Sequence, residues 1–277
     1  MRYILFIIFI LSFNPAFGQD DNESFYEKGV SALNVKDLIS ANEYFSKYIE
    51  LNPDSAKGYY SKAEVSLLSG NFDEGIELLT TALKKDPDMT KAYSSRGAAY
   101  VAIGKLDNAL DDFDMALKIN PDDVNTMNAK AIAYTQINKF DYALALLQKA
   151  SETNPKFMET YRNRGLIYFF MGDTLKALND LSYAIGLEPN NPSLYNTRGG
   201  IYREMEMLDD AIKDFNMAIA LDPNNAEAYC RRGVAYLYKK NYGQAINDME
   251  QGIKLDPLIE NNIAEYLKEA KEKKKNK

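Results

Sequence analysis

Seven prolines set a ruler along this chain: Pro53, Pro87, Pro121, Pro155, Pro189, Pro223 and Pro257 stand 34 residues apart, with no insertion or deletion between them. Proline has no amide hydrogen and disfavours helix at the residue before it, so each member of the series marks a helix end. A fixed period of this length is the signature of stacked helix pairs, in which each parcel buries its apolar face only against its neighbours. No other feature of the sequence constrains the fold so tightly.

Other residues repeat on the same ruler. Phe25, Tyr59, Tyr93, Tyr161, Tyr195 and Tyr229 form one column, with Met127 as the exception, and seven residues further on come Tyr100, Tyr134, Tyr168, Tyr202 and Tyr236. Between them lies a small residue: Gly29, Ala63, Gly97, Ala131, Gly165, Gly199 or Gly233. Then follow Ala41, Gly75, Ala109, Ala143, Ala177, Ala211 and Ala245, and four residues later Phe45, Leu79, Phe113, Leu147, Leu181, Phe215 and Met249. Spacings of three, four and seven put these residues on one helical face, so each parcel predicts two amphipathic helices. The break between them falls at Gly70-Asn71, Gly104-Lys105, Asn138-Lys139 and Gly172-Asp173, which are turn residues. The small residues let paired helices approach closely, and the aromatics are expected to fill the space between pairs.

Repeats such as the one holding Ala92, Tyr93, Arg96, Gly97, Tyr100, Ala109, Phe113, Ala116 and Pro121 closely resemble the tetratricopeptide repeat. The resemblance covers residues 22–259 as seven tandem units. It implies an all-α, right-handed superhelical solenoid of stacked antiparallel helix pairs, with a concave groove lined by the first helix of each pair. The family's members bind proteins or peptides in that groove. The first unit departs most, with Ala32 where the second tyrosine is expected and Tyr48 where a small residue is.

The two ends read differently. Arg2 precedes an apolar run from Tyr3 to Phe13 that is too short to span a bilayer, and Ala16-Phe17-Gly18 has the small residues of a secretory cleavage site. Residues 1–18 are therefore expected to be a signal peptide cut after Gly18, which places the body in the periplasm or outside the cell; an uncleaved anchor is the alternative. Residues 260–277 are expected to form a C-terminal capping helix with a basic tail. Apart from an uncleaved signal, only that tail offers contact with a membrane, and a weak one.

Composition removes several classes of function. The formal charge is −7, which leaves no basic footprint for nucleic acid, and there is no histidine and a single cysteine, Cys230. No metal, no cofactor and no disulfide within the chain is expected. Asp111-Asp112 are neighbours on a helix and do not face each other, and Gly104-Lys105-Leu106 lacks the remaining residues of a phosphate loop. The chain is expected not to be an enzyme.

What does not recur is where function is sought. Asn128, Arg162, Asn163 and Asn196 fall on the groove stripe, with hydrogen-bonding groups suited to an extended peptide. Gly199-Gly200 puts a second glycine inside a predicted helix at a cost of about 1 kcal/mol. Gly200, with Phe169, Phe170 and Arg203, is therefore expected to form a shallow apolar pocket with a cationic rim. Some family members grip a C-terminal carboxylate with lysine, asparagine and arginine set across three units, and no three units here supply that set.

A separate correlation predicts structure: Arg96, Arg164, Arg198 and Arg232 are followed sixteen residues later by Asp112, Asp180, Asp214 and Asp248, whereas Lys28, Lys62 and Lys130 are followed by Tyr44, Leu78 and Leu146. The four pairs are expected to tie the two helices of their own unit. The expected function is a non-catalytic scaffold or adaptor holding a partner protein or peptide in its groove. A regulatory component of an envelope-assembly or secretion complex is the alternative. A scaffold carrying an unrecognised activity is a further one, opposed by the lack of any long segment outside the repeats.

Overall fold

The computed structural model describes residues 16–276, and every regular element among them is helical. The helices are α1 (Ala16–Asn34), α2 (Leu38–Leu51), α3 (Ala56–Leu68), α4 (Phe72–Lys85), α5 (Thr90–Ala102), α6 (Leu106–Ile119), α7 (Val124–Gln136), α8 (Phe140–Thr153), α9 (Met158–Phe170), α10 (Thr174–Leu187), α11 (Pro192–Glu204), α12 (Leu208–Leu221), α13 (Ala226–Tyr238), α14 (Tyr242–Leu255) and α15 (Glu260–Lys275). Most of the expected signal segment, residues 1–15, lies outside the described residues; α1 starts within its last three. Among the described residues no helix is long and apolar enough to cross a membrane.

The ruler is visible in the backbone. Asn52, Asp86, Asn120, Asn154, Glu188, Asp222 and Asp256, each just before a ruler proline, all take φ between −126 and −138° and end their helices there. The ring of the next residue forces that extended geometry. Inside each pair the chain reverses through one left-handed residue: Lys36, Gly70, Gly104, Asn138, Gly172, Glu206 and Lys240, again 34 apart. The turn type thus recurs even where glycine does not.

The chain forms two compact bodies, residues up to Ala129 and residues from Lys130, the boundary falling inside α7. In the first body α1–α2, α3–α4 and α5–α6 are antiparallel pairs; in the second α9–α10, α11–α12 and α13–α14 are. The core of both is the second-helix column. Phe45, Leu79, Phe113, Leu147, Leu181, Phe215 and Met249 are all fully buried, as are Ala41, Ala109, Ala143, Ala177, Ala211 and Ala245. The tyrosine columns lie further out: Tyr161 and Tyr195 are buried, but Tyr59, Tyr93, Tyr100 and Tyr134 are only partly covered. Tyr161 and Tyr195 donate their hydroxyls to the carbonyls of Pro155 and Pro189 at 2.9 and 3.0 Å, which lets those two rings be buried without stranding a hydroxyl.

The small-residue column is explained by what faces it. A methyl group on Gly97 would lie 2.7 Å from the Phe113 ring, and one on Gly199 2.8 Å from the Phe215 ring. The enlarged Tyr48 of the first pair is accommodated in the same way, by Gly58 opposite it. At the far end Ile263 and Ala270 of α15 are buried in a cluster with Cys230, Val234, Leu237 and Met249. In the basic tail Lys271 pairs with Glu250 at 2.8 Å and Lys273 with Glu269 at 2.5 Å.

Candidate binding site on the first-helix face

Four arginines fix where the first helices stand. Arg96, Arg164, Arg198 and Arg232 each fork onto both oxygens of the aspartate sixteen residues on, Asp112, Asp180, Asp214 and Asp248, with distances of 2.7–2.9 Å. The arginine side chains are 15–18% exposed and the aspartates 5–13%, so the pairs are largely desolvated. Hydrogen bonding to the aspartate raises each guanidinium's pKa, against the opposing effect of burial. The remaining nitrogen, Nη1, reaches backward to Thr80, Gln148, Ser182 or Asn216, sixteen residues earlier. Each guanidinium therefore joins three helices: its own, its partner, and the second helix of the preceding pair. Lysine has no planar fork and cannot make this set of bonds.

The asparagines expected on the groove wall are turned inward instead. Asn128, Asn163 and Asn196 are 5, 7 and 6% exposed. Asn128 donates to the Val124 carbonyl one turn back, and Asn196 donates to Glu227 at 3.0 Å across to α13, while its own Oδ1 is buried without a partner. All three short polar side chains are absorbed into packing, Asn163 on one column and Asn128 and Asn196 together on the one before it. Cys230 follows the same column inward. Its sulfur occupies the space a methyl on Gly252 would need, and burial pushes its thiol up to about 11.

Nor is Gly200 the floor of a pocket formed with Phe169, Phe170 and Arg203. A methyl on Gly200 would meet Arg231 Nη1 at 2.9 Å, and that nitrogen donates to the Asn196 carbonyl. Arg203 pairs with Glu204 and borders a separate hollow with Leu208 and Tyr238. Phe169 lies half-buried against Ala177, Leu181 and Ile201. The second glycine makes room for the Arg231 side chain rather than for a ligand.

Phe170 and Arg162 do share a cavity, in a different place. Between α7 and α9, within the second body, a hollow of about 270 Å³ is lined by Ile132, Thr135, Gln136, Arg162, Asn163, Leu166, Ile167 and Phe170. Phe170 is 63% exposed and Ile132 39%, so apolar surface stands open at its mouth. Arg162 touches the Asn163 side-chain oxygen at a long 3.5 Å, and its Nε has no partner. Among the described residues no three carboxylates or thiols converge as metal ligands.

Against known proteins, family models described as tetratricopeptide repeat match residues 90–123 and 226–259, and one described as TPR repeat matches residues 199–239. The chain carries tetratricopeptide repeats. Its all-α superhelical repeat fold is shared with a tetratricopeptide repeat protein from Parabacteroides merdae, at a TM-score of 0.72 and 20% identity over 91% of this chain and 99% of that one. It also resembles a chain of the APC/C hetero-tetramer Cut9-Hcn1, at a TM-score of 0.71 and 19% identity over 95% of this chain and 49% of that one. An uncharacterized protein of Methanocaldococcus jannaschii is 40% identical over 55 residues, 20% of this chain and 64% of that protein, so the match spans less than two thirds of that relative. Tetratricopeptide repeats are protein-interaction scaffolds, and generally not catalysts.

Within this repeat protein, Arg162, Asn163 and Phe170 are brought together, while Asn128, Asn196, Phe169, Gly200 and Arg203 are not part of that cavity. Residues of α7 and α9 that sequence reasoning passed over, Ile132, Gln136 and Leu166, complete it. They carry a signal on the ruler: Ile132 and Leu166 are successive members of one column, whose neighbours are Ala98 and Gly200.

Proposed function

We propose that the chain is a non-catalytic adaptor that holds a partner protein or peptide on the face made by its first helices, outside the cytoplasm. The observation that carries the reading is the open cavity between α7 and α9. Residues that recur on the ruler are consumed in packing, whereas this hollow leaves apolar side chains facing solvent. Exposed apolar surface in a concave site is the usual mark of recognition. The extracytoplasmic location rests on Arg2, the apolar run from Tyr3 to Phe13 and the small residues Ala16 and Gly18; N-terminal sequencing of the protein from its host should begin at Gln19.

A photo-crosslinking amino acid placed at Gln136, on the rim, tests the adaptor. It should capture a defined partner that is lost when Phe170 is changed to Asp. The same label at the exposed Lys118 of α6 should not. Equal capture at both positions would refute a groove-bound partner.

A further inference from the structure

Charge is divided unevenly between the two bodies. Residues 1–129 carry 20 acidic and 12 basic side chains, and residues 130–277 carry 20 and 21. Part of the surplus lies on the ruler: Glu43, Glu77 and Asp111 stand 34 apart, each the sixth residue of α2, α4 and α6, and the column continues through Ala145, Asn179, Lys213 and Asn247. All three carboxylates are exposed, and none is in an ion pair among the described residues. They stand past the first helical turn, where the helix dipole favours negative charge, so helix stability does not account for them.

Beside this column lies a groove. Between α2 and α4, over α3, a hollow of about 280 Å³ is lined by Leu38, Ile39, Glu43, Val65, Ser69 and Glu74 among others, with no Lys or Arg in its wall. Val65 is buried at its bottom, whereas Ile39 is 78% exposed, one turn before Glu43 on the same helical face. An apolar floor under an acidic rim suits lysine above other side chains. Its hydrocarbon stem lies along apolar surface while its ammonium reaches out to a carboxylate.

The chain itself carries such lysines. Its last ten residues hold six Lys against two Glu. Lys271 and Lys273 are paired with Glu250 and Glu269, but Lys268, Lys274 and Lys275 are in no ion pair among the described residues. Ala270 is the last buried residue of α15, and from Lys271 to Lys275 every residue is exposed, so the helix end stands clear of its own body. We propose that the groove between α2 and α4 receives the lysine-rich end of α15 from a second copy of the chain, joining copies head to tail. The contact is heterologous, so each pair keeps one free groove and one free helix end and can grow into rings or filaments. One helix end in one groove is small beside the about 1,200–2,000 Å² of a stable interface, so the association is weak and held by charge. It is independent of what the cavity between α7 and α9 holds.

Sedimentation velocity on the full chain tests this at about 0.01 M and about 0.5 M salt, the higher of which screens exposed charges beyond a few ångströms. The expected result is a sedimentation coefficient that rises with protein concentration at low salt, with association at least tenfold weaker at high salt. Glu43→Lys with Glu74→Lys should stay a single copy, as should Lys268→Glu with Lys274→Glu and Lys275→Glu. Mixing the two variants should restore association, because each supplies the charge the other has lost. Should either fail to fold by circular dichroism, Glu43→Gln with Glu74→Gln, or removal of residues 274–277, takes its place and should weaken self-association at least tenfold. Single copies at every concentration in low salt would overturn the proposal. So would association that survives either reversal, or reversed variants that fold yet do not associate when mixed.

Discussion

The contact between Gly97 and Phe113 predicts a substitution whose effect changes sign with its neighbour. Gly97→Ala would set a methyl 2.7 Å from one ring carbon of Phe113 and 2.9 Å from the next, whereas carbon atoms rest at about 3.5–4.0 Å. Phe113 is fully buried and has nowhere to retreat. Overpacking of this kind costs about 1–3 kcal/mol, and the better helix propensity of alanine returns about 1 kcal/mol. A net loss of up to about 2 kcal/mol is expected. In a Phe113→Leu background the ring is gone, and the pair becomes alanine over leucine, as already occurs in this chain at Ala63 and Leu79 and at Ala131 and Leu147. There Gly97→Ala should instead stabilise by up to about 1 kcal/mol. Urea denaturation of the four proteins, followed by far-UV circular dichroism, gives the coupling directly, and whatever Phe113→Leu costs alone cancels in the cycle. Equal destabilisation by Gly97→Ala in both backgrounds would refute the claim that the ring is what requires glycine.

Asp180→Ala should lower stability by about 3 kcal/mol, since it strands the largely buried Arg164, while Asp210→Ala on the surface should change it by less than about 0.5 kcal/mol; similar losses in the two denaturation curves would refute the ion-pair account. Glu206 holds a φ of 60°, so Glu206→Gly should raise the unfolding free energy read from urea denaturation by about 0.5–1 kcal/mol, and Gly172→Ala, at φ 82°, should lower it. Cys230 has a buried thiol pushed up to about 11, so an aromatic disulfide reagent at mildly alkaline pH should label it only after unfolding. Because the folded pKa exceeds the unfolded one, the contribution of this group to stability is intact below about 8.5 and declines as pH rises toward 11.

How much of this was legible in the sequence depends on whether a residue's partner lies on the ruler. The residues before the prolines, the second-helix core and the arginine–aspartate pairs could all be read, because partner and spacing repeat together. The third bond of each arginine repeats as well, yet Thr80, Gln148, Ser182 and Asn216 share only an acceptor oxygen, and a search by residue type passes over them. The relation of small residue to ring was equally present: Gly29, Gly97 and Gly199 stand opposite Phe45, Phe113 and Phe215. Gly200 was misread because its neighbour, Arg231, comes from a column where other units have Ser61, Ser95 or Asn163. Periodicity put Asn128 and Asn196 on the first-helix stripe but does not show that neighbouring side chains close over them. A cavity is harder still, being set by what fails to fill it.

The arrangement around α9 shows why the exceptions to the repeat are where binding chemistry can accumulate. In an array of stacked units stability is close to a sum of unit and interface terms, so one position can drift without unfolding the rest. The units with Lys62 and Leu78, or Lys130 and Leu146, lack the arginine–aspartate pair altogether and still form helices. What a binding residue needs is a rigid base, not a conserved surround. Arg164 supplies that base on α9: its guanidinium joins Asp180 on α10 and Gln148 on α8, which fixes the rotation and height of the helix. Arg162 sits two residues earlier, about 200° around the helix, and so faces away from that anchor toward the cavity beside α7. Arg164 is held by the Asp180 carboxylate and the Gln148 amide, and so gives Arg162, which meets no carboxylate among the described residues, a defined place on the cavity wall.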